Sequence, residues 1–451
     1  MPDKEPNMQN EFMIEKIKER PINKGKLVRR MLFTAAMAVV FGLVACFTFL
    51  ALEPVLNGWM NPEEELPKIY FPEETEEMNP EDMLSESLSY GTETEESTQS
   101  GNSEEGSEGM TLQEDQIKEI LSELRLNVVN YRQMYSALSD YTRNMEKSMV
   151  TLTGITSTVD WFNDVNESTN KAPGVIISNT TKELLILTDY SALKNAQRLK
   201  VTFCNGAETT AELKRRDPGT NLAVVAIPID VLPAEFLKTT IAVAKPGSSN
   251  HSNLVGTPVV ALGMPMGTAN SAGFGVITAA SAQASDPDAN YKLLQTDIVG
   301  SPNAGGVIFN LYGQFIGIIT QDHNAEGMEN LITAYGITDL KKRMEKLSND
   351  QPFAYFGIYG LSVSLYAHEE LGVPYGTFVR DVKLDSPAMR AGIQRGDVII
   401  RLDETDVNNF SDYSSFVYLR NPEEEVRVTV LRQSYAGYKE MTMEVTLGEL
   451  K

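Results

Sequence analysis

The chain has 451 residues and a formal net charge of −23, and its two cysteines and three histidines are scattered along it. This length allows two or three domains, and the lack of a basic stretch interleaved with aromatic residues argues against nucleic-acid binding. The scattered cysteines and histidines argue against a disulfide framework and a metal site, so we expect no metal or other cofactor. Sixteen acidic residues and one lysine lie between residues 61 and 110, so the remainder is only mildly acidic.

The N-terminal region has the pattern of a membrane anchor. Residues 1–30 are polar and end in a basic cluster, and residues 31–52 follow without a charged side chain. An apolar helix of about 20 residues spans a bilayer. The basic flank predicts a cytoplasmic tail, a transmembrane helix over 31–52 and an extracytoplasmic location for everything that follows. A cleaved signal peptide is the alternative, although the apolar and leading segments are long for one and no small-residue cleavage site follows.

Two further segments precede the folded part. Residues 53–110 are rich in Glu, Ser, Thr, Pro and Gly, which predicts an acidic disordered linker. In residues 111–149, nine positions from Ile117 to Met145 are spaced alternately by four and three, and eight of them are apolar or aromatic. This spacing predicts a long helix, either a coiled coil that joins chains or an amphipathic helix that packs on its own domain.

Residues 150–350 change to short apolar runs separated by Gly, Pro, Asn and Asp, which predicts an all-β barrel or sandwich. A helix capped by Thr338 and running to about Leu347 is expected to end this domain. Examples of the predicted strands are Gly174–Ser178, Leu184–Thr188, Leu199–Phe203, Leu222–Ile227, Pro258–Leu262 and Gly275–Thr278.

Residues 351–451 predict a second folded unit of the α+β class. The passage Ser386–Ile393 followed by Arg395–Ile399 resembles a PDZ domain. The predicted elements of this unit are strands at Gly376–Val382, Asp397–Leu402, Val426–Arg432 and Met441–Leu447 and a helix at Ser411–Leu419.

Four passages, in this order, resemble the HtrA/DegP family of trypsin-like serine proteases: Gly174–Ser178, Asp217–Val225, Ala261–Gly267 and Leu294–Ile319. The resemblance covers about residues 151–451. It implies a mainly β protein in which a trypsin-like double β-barrel is followed by a PDZ domain. It also implies a homo-oligomer, which is usually a trimer in this family.

The same resemblance places the family's catalytic positions on unsuitable side chains. The general base falls on Tyr190, the acid on Asn221, the nucleophile on Ala304 and one oxyanion donor on Pro302. A methyl group cannot attack a carbonyl, and proline has no N–H to donate. These four positions together predict a degenerate site with no intact catalytic residue, so the sequence favours a pseudoprotease that is not an enzyme.

Two alternatives stay open at this point. The chain could be an active serine endopeptidase with a rearranged site, in which Ser191 or Ser301 supplies the hydroxyl and His323 is the first base to test. It could also be a structural protein whose Ile117–Met145 helix drives oligomerisation.

The PDZ resemblance carries the binding prediction. PDZ domains bind a peptide C-terminus as an added strand, and a glycine-containing loop holds the terminal carboxylate. By resemblance that loop is Tyr355, Phe356, Gly357 and Ile358, it leads into an edge strand at Tyr359–Ser364, and Phe416 lines the pocket for the last side chain. The predicted function is therefore a membrane-anchored scaffold, chaperone or regulator in envelope protein quality control. Its predicted partners are polypeptide C-termini or unfolded segments.

Overall fold

The computed structural model describes residues 31–43 apart from 34 and 42, and residues 68–71, 128–159, 165–324, 326–435 and 437–450. The chain forms two units, Met1–Leu66 and Pro67–Lys451. The described residues of the first unit are helical. Among the described residues, no helix has both the length and the apolar character needed to cross a membrane. The predicted tail 1–30 and residues 44–52 of the predicted span lie outside the described residues.

The second unit is mainly β, as predicted. Its helices are α1 Val128–Glu146, α2 Ala234–Thr239, α3 Ile337–Ser348, α4 Leu365–Leu371, α5 Pro387–Ala391 and α6 Phe410–Tyr418, with 3₁₀ turns at Tyr190–Ala192 and Ile229–Val231. Its strands are β1 Met149–Val159, β2 Val165–Asn179, β3 Glu183–Asp189, β4 Arg198–Phe203, β5 Glu208–Arg216, β6 Leu222–Pro228, β7 Lys245–Pro246, β8 Pro258–Met264, β9 Ser271–Ala279, β10 Gln283–Asp286, β11 Ala289–Val299, β12 Gly305–Asn310, β13 Gln314–Thr320, β14 Leu331–Gly336, β15 Ala354–Tyr355, β16 Ile358–Ser362, β17 Thr377–Val382, β18 Val398–Leu402, β19 Thr405–Asp406, β20 Glu425–Ser434, β21 Gly437–Thr446 and β22 Gly448–Glu449.

The first six strands close an antiparallel barrel in the order β1-β2-β3-β6-β5-β4. Strand β3 shows why its sequence is apolar without interruption. Successive side chains of a strand point to opposite faces. Leu184 and Ile186 enter the core inside this barrel, whereas Leu185 and Leu187 enter the core that the barrel shares with the rest of the unit. Both faces of β3 are therefore buried.

The second barrel is a ring of β11-β14-β13-β12-β8-β9 in which β9 pairs back to β11, while β10 extends from β11 and β7 pairs with β13. Strand β12 divides its side chains in the same way as β3, with Ile308 inside the barrel and Val307 and Phe309 in the shared core. All six example strands of the sequence analysis lie within β2, β3, β4, β6, β8 and β9. The double β-barrel is confirmed.

Helix α3 closes the barrel region, and its Leu340, Met344 and Leu347 are fully buried in the shared core. The helix begins two residues earlier than predicted, because its N-terminal cap is Gly336, which makes no side-chain capping bond. The predicted cap Thr338 lies inside the first turn, where its hydroxyl accepts a hydrogen bond from the Ser249 N–H at 2.9 Å.

The C-terminal part has PDZ architecture, with a sheet ordered β16-β17-β18-β20-β21, β19 added to β18, and a separate β15–β22 pair. The predicted helix Ser411–Leu419 is α6, and its cap is Asn409, whose side chain accepts the Asp412 N–H at 3.0 Å. Phe356, Tyr413, Val428 and Val430 are fully buried in the core of this part.

Four described residues of the predicted linker, 68–71, lie on α3. Phe71 is buried in the shared core, and its N–H donates to Glu345 Oε1 at 2.7 Å. The Asn349 side chain bonds both the N–H and the carbonyl of Ile69. The chain is therefore fixed to the folded unit at this point, and the other residues of 53–110 lie outside the described part.

Of the predicted helix 111–149, residues 128–146 form α1 and residues 111–127 lie outside the described part. Thr142 and Met145 are buried at its C-terminal end, whereas Val128, Tyr131 and Tyr135 are exposed. The coiled-coil alternative stays a prediction.

Candidate active site and peptide-binding site

The two barrels meet at a narrow cavity of about 20 Å³, which is room for about one water molecule. The first barrel contributes Pro173 and Asp189 to its walls, and the second contributes Gly305 and Gly306. The C-terminal end of β3 and the N-terminal end of β12 are thereby brought together, which is where the sequence resemblance places the catalytic positions.

The turn before β12 needs glycine at its end. Gly306 has φ of +125°, and a Cβ atom there would lie 2.0 Å from the Leu262 carbonyl oxygen. The backbone of Ser301 makes three hydrogen bonds that hold the turn. The Ser301 N–H donates to the Pro265 carbonyl at 2.9 Å. The Ser301 carbonyl accepts from the Ala304 N–H at 2.9 Å and from Gln321 Nε2 at 3.0 Å.

At the predicted nucleophile position the side chain is a half-buried methyl group, that of Ala304. The Ala304 N–H is already bonded to the Ser301 carbonyl, and Pro302 has no N–H. Neither residue 302 nor residue 304 therefore presents a free N–H to the cleft in this conformation. The hydroxyl of this turn belongs to Ser301, and it accepts the Asn303 N–H at 3.2 Å.

Asp189, in the opposite wall, belongs to a cluster of polar side chains that we call the Ser191 cluster: Asp189, Ser191 and Asn221. Asn221 has φ of +57°, and its Nδ2 donates to Ser191 Oγ at 2.7 Å and to Asp189 Oδ1 at 3.1 Å. The Ser191 hydroxyl and N–H both donate to Asp189 Oδ1. An exposed serine hydroxyl is thus hydrogen-bonded to a carboxylate beside the cleft.

Tyr190, which the sequence analysis placed at the base position, has a different environment. Its N–H donates to the Asn221 carbonyl at 2.8 Å, but its ring lies 5.0 Å from the Arg216 guanidinium. The side chain that meets the Asn221 amide is that of Ser191, because the 3₁₀ turn after β3 directs it back toward Asp189. The spacing Asp-x-Ser after an apolar strand is the sequence signal that would have indicated this turn.

Two other residues are engaged elsewhere: His323, the candidate base of the sequence analysis, and Asp217, the first residue of a passage that resembles the family. His323 Nε2 lies 2.7 Å from the Tyr335 hydroxyl, and burial raises the pKa of that tyrosine above its usual value. Asp217 is fully buried and accepts two hydrogen bonds from Arg343 Nη1, at 2.8 and 2.7 Å. It also accepts from the Thr220 hydroxyl at 2.7 Å and the Gly219 N–H at 3.0 Å, so it holds the loop that leads to Asn221.

The predicted carboxylate-binding loop of the PDZ domain, 355–358, surrounds a carboxylate of the chain itself. The Asp288 carboxylate accepts the N–H groups of Phe356 at 2.8 Å, Gly357 at 2.8 and 2.9 Å, and Ile358 at 3.0 Å. The Tyr413 hydroxyl donates to the same carboxylate at 2.6 Å. The loop therefore holds a carboxylate of the chain itself with three backbone N–H groups, and its binding of a peptide terminus stays a prediction.

Asp288 is buried, and its pKa is raised by that burial while the Tyr413 hydroxyl and the three backbone N–H groups oppose the rise. Tyr355 borders the same site. Burial, followed by the nearby Asp288 charge, raises the pKa of Tyr355 to about 12. Gly357 has φ of +96°, and a Cβ there would lie 2.3 Å from the Ser386 Cβ, so this position also needs glycine.

On helix α6, Tyr413 reaches the loop, whereas Phe416 faces a broader groove with Arg420. The Arg420 guanidinium lies 4.3 Å from the Phe416 ring centre, and both residues line this groove with Thr405 and Leu419.

Asp288 was missed in the sequence analysis because Ser285-Asp286-Pro287-Asp288 reads only as a turn between strands.

Comparison with known proteins agrees with this architecture. Residues 172–318 match the trypsin-like peptidase domain family and residues 339–447 match the PDZ domain family. The serine protease Do-like HtrA of Lactococcus lactis subsp. lactis is 26% identical over 348 residues, which cover 72% of this chain and 81% of that protein. The serine endoprotease DegS of Haemophilus influenzae is 30% identical over 278 residues, or 60% of this chain and 76% of that protein.

Among solved structures, the HtrA-type protease AlgW with a decapeptide aligns with a TM-score of 0.50 at 21% identity, over 69% of this chain and 98% of that chain. This likeness supports the fold.

The comparisons contradict one conclusion of the sequence analysis. The expectation that the chain is not an enzyme is wrong, because its relatives are named serine proteases and endoproteases. The expectation rested on four positions of one constellation, whereas Asp189 in the cavity wall also accepts a hydrogen bond from the Ser191 hydroxyl. With a trypsin-like double barrel, a PDZ domain and these relatives, the chain belongs to the HtrA family of trypsin-like serine proteases.

Proposed function

We propose that this chain captures polypeptide segments through its PDZ domain in extracytoplasmic protein quality control. The observation that carries the proposal is the loop 355–358, where three backbone N–H groups converge on one carboxylate. A peptide C-terminus offers the same group to a PDZ domain. A related HtrA-type protease has been solved with a bound decapeptide, which supports peptide binding here.

The cellular setting is part of this proposal. Relatives are named periplasmic serine endoproteases, and the charge asymmetry around residues 31–52 supports a single-pass anchor with the folded unit outside the cytoplasm. We also propose the domain limits 150–350 and 351–451, and self-association of the chain as a trimer. Captured segments would be held for scaffolding, folding or regulation, or presented to the cleft between the barrels.

Binding of the full chain to fluorescein-labelled decapeptides with apolar C-terminal residues tests the proposal. We expect the free-acid peptides to bind at least tenfold more tightly than the same peptides with an amidated C-terminus. The Gly357→Ala variant should lose this preference because of the close Ser386 contact. Gly372→Ala is the matched control, since Gly372 also has positive φ but has no atom within 4 Å of a built Cβ. Equal binding of free-acid and amidated peptides would refute carboxylate capture.

A second candidate function is endopeptidase activity at the Ser191 cluster. Here the Ser191 Oγ would form a bond to the peptide carbonyl carbon while its proton passes to the Asp189 carboxylate. That proton would then leave with the amine as the C–N bond breaks, and water would hydrolyse the resulting ester. The specific observation in its favour is the hydrogen bond from the exposed Ser191 hydroxyl to Asp189.

Labelling with a fluorophosphonate probe tests this second candidate. Activity at Ser191 predicts that peptide mapping finds the label there and that Ser191→Ala abolishes both the labelling and the hydrolysis of an unfolded protein. Ser301→Ala, in the facing turn, is the matched control and should leave both unchanged. An unlabelled Ser191 would eliminate this candidate.

A further inference from the structure

The turn between β10 and β11 enters the PDZ domain in the manner of a peptide end. Its Asp288 carboxylate lies in the loop 355–358, and its Asp288 N–H donates to the Ile358 carbonyl at 2.8 Å. Two residues further along both segments, Asn290 Nδ2 donates to the Gly360 carbonyl at 3.0 Å. The turn therefore supplies a carboxylate, a backbone donor and a side-chain donor to one edge of the domain.

Two of these contacts are of the kind that an added strand would make, and the third places a side-chain donor on a carbonyl of the edge strand. A peptide bound by strand addition places its carboxylate in the loop and its N–H groups on carbonyls of the edge strand. Carbonyls two residues apart point to the same edge of a strand, so Ile358 and Gly360 are successive acceptors on β16. Asp288 and Asn290 occupy both acceptors, which leaves neither for a peptide.

Neighbouring residues hold this turn in position. The Ser285 hydroxyl donates to Asn290 Oδ1 at 2.8 Å, which orients the amide so that its nitrogen faces Gly360. The Ser414 hydroxyl of α6 donates to the Asp288 carbonyl at 2.8 Å. Asp288 also has φ of +66°, a conformation that aspartate tolerates better than most residues. The contact therefore depends on several side chains together.

We propose that Asp288 is an internal ligand of the PDZ carboxylate site, and that a polypeptide C-terminus binds this site only by displacing it. The inference rests on the proposed function of the PDZ domain. When only a fraction of the molecules has an open site, the apparent dissociation constant rises by the inverse of that fraction. Peptide affinity is therefore set by how readily the β10–β11 turn leaves the groove.

The test compares the full chain with its Asp288→Asn variant, using the same fluorescein-labelled free-acid decapeptides. Asparagine has the shape of aspartate and tolerates positive φ, but its amide group cannot accept hydrogen bonds on both sides. We expect the variant to bind the peptides at least tenfold more tightly, and its Phe356–Ile358 amides to exchange hydrogen faster when no peptide is present. Asp286→Asn is the matched control, because Asp286 belongs to the same hairpin but interacts with Arg343 and Asp217. The affinity of Asp286→Asn for the free-acid peptides should stay within twofold of that of the parent chain.

A second variant keeps the test decisive if Asp288→Asn does not fold. Asn290→Ala removes the bond to Gly360 and leaves the carboxylate in place, so we expect a gain in affinity of about twofold to fivefold. Equal affinity of the parent chain and a folded variant for the free-acid peptides would refute the proposal that Asp288 is an internal ligand. That result would leave the proposed peptide binding intact. If neither the parent chain nor a folded variant binds a free-acid peptide, the proposed function fails, and the inference fails with it.

Discussion

Removal of the Asp217 carboxylate should destabilise the folded unit strongly. The Asp217 side chain has no exposed surface, and that of its partner Arg343 is 13% exposed. The Arg343 guanidinium also lies 5.5 Å from the Tyr291 ring centre and 5.4 Å from that of Phe353. In Asp217→Ala this buried cation would lose its ion-pair partner and keep only the nearby charge of Asp286. The Thr220 hydroxyl and Gly219 N–H would lose their acceptor.

The expected loss follows from the burial of both partners. Breaking a buried ion pair by removing one partner costs about 3–5 kcal/mol. For a domain of about 150–250 residues, the size of the double barrel, about 1 kcal/mol corresponds to roughly 2–4 °C in the midpoint of thermal unfolding. We therefore expect Asp217→Ala to lower the midpoint by roughly 6–20 °C.

Thermal unfolding of the full chain, followed by far-ultraviolet circular dichroism, measures this change. The double variant Asp217→Ala/Arg343→Met should recover part of the loss, because it also removes the unpaired cation. As a control, Asp406→Ala breaks an ion pair whose acid is 71% exposed, and it should shift the midpoint little. A drop of less than about 2 °C, or a double variant that loses the sum of the two single changes, would refute the reasoning.

Three further changes have expected outcomes. Gly306→Ala should prevent stable folding, because its Cβ would lie 2.0 Å from a carbonyl oxygen. Gly313→Ala, in an open turn, should cost only about 1 kcal/mol of stability. Similar midpoints of thermal unfolding for the two variants would contradict this prediction. Phe71→Ala should lower the free energy of unfolding by about 3–5 kcal/mol, measured by thermal unfolding. Tyr70→Ala should have almost no effect, because the Tyr70 side chain is exposed. Equal effects of the two substitutions would mean that residues 68–71 are not anchored. Burial, followed by the Arg343 charge, lowers the pKa of Lys346 to about 8. Above pH 8 the unfolded chain therefore binds one more proton than the folded chain. The free energy of unfolding of the parent chain should rise between pH 8 and about 10, relative to that of Lys346→Met. If the free energies of unfolding of the two proteins change with pH in parallel, Lys346 makes no such contribution.

Much of the barrel architecture could be predicted because several strands have both faces buried. An uninterrupted apolar run such as that of β3 is visible in the sequence. Strand β1 was not among the predicted strands, because its buried positions include Thr151 and Thr153 and it follows directly after a helix. Strand β5 carries charged, partly exposed side chains and gives no apolar signal.

The candidate site, like the fold, could be predicted from the sequence only in part. The positions of Ala304 and Pro302 depend on a local turn with two glycines, and the register of that turn is readable from the sequence. The contact of Ser191 with Asn221 depends on a 3₁₀ turn, which determines that Ser191 rather than the adjacent Tyr190 meets the Asn221 amide. The Asp288 contacts join residues about 70 and 125 positions apart, and a distant docking contact of this kind leaves no local pattern.

The docking of residues 68–71 changes what a cut in the segment between them and α1 would do. Phe71 is buried and its N–H is bonded to Glu345, while α1 leads directly into β1. Residues 72–127 are therefore bounded at both ends by the same folded unit. A protease that nicks this segment would leave the two fragments joined only by the contacts of residues 68–71. An interaction of about 4 kcal/mol corresponds to a dissociation constant of about 1 mM, so the fragments should separate on a sizing column even under native conditions.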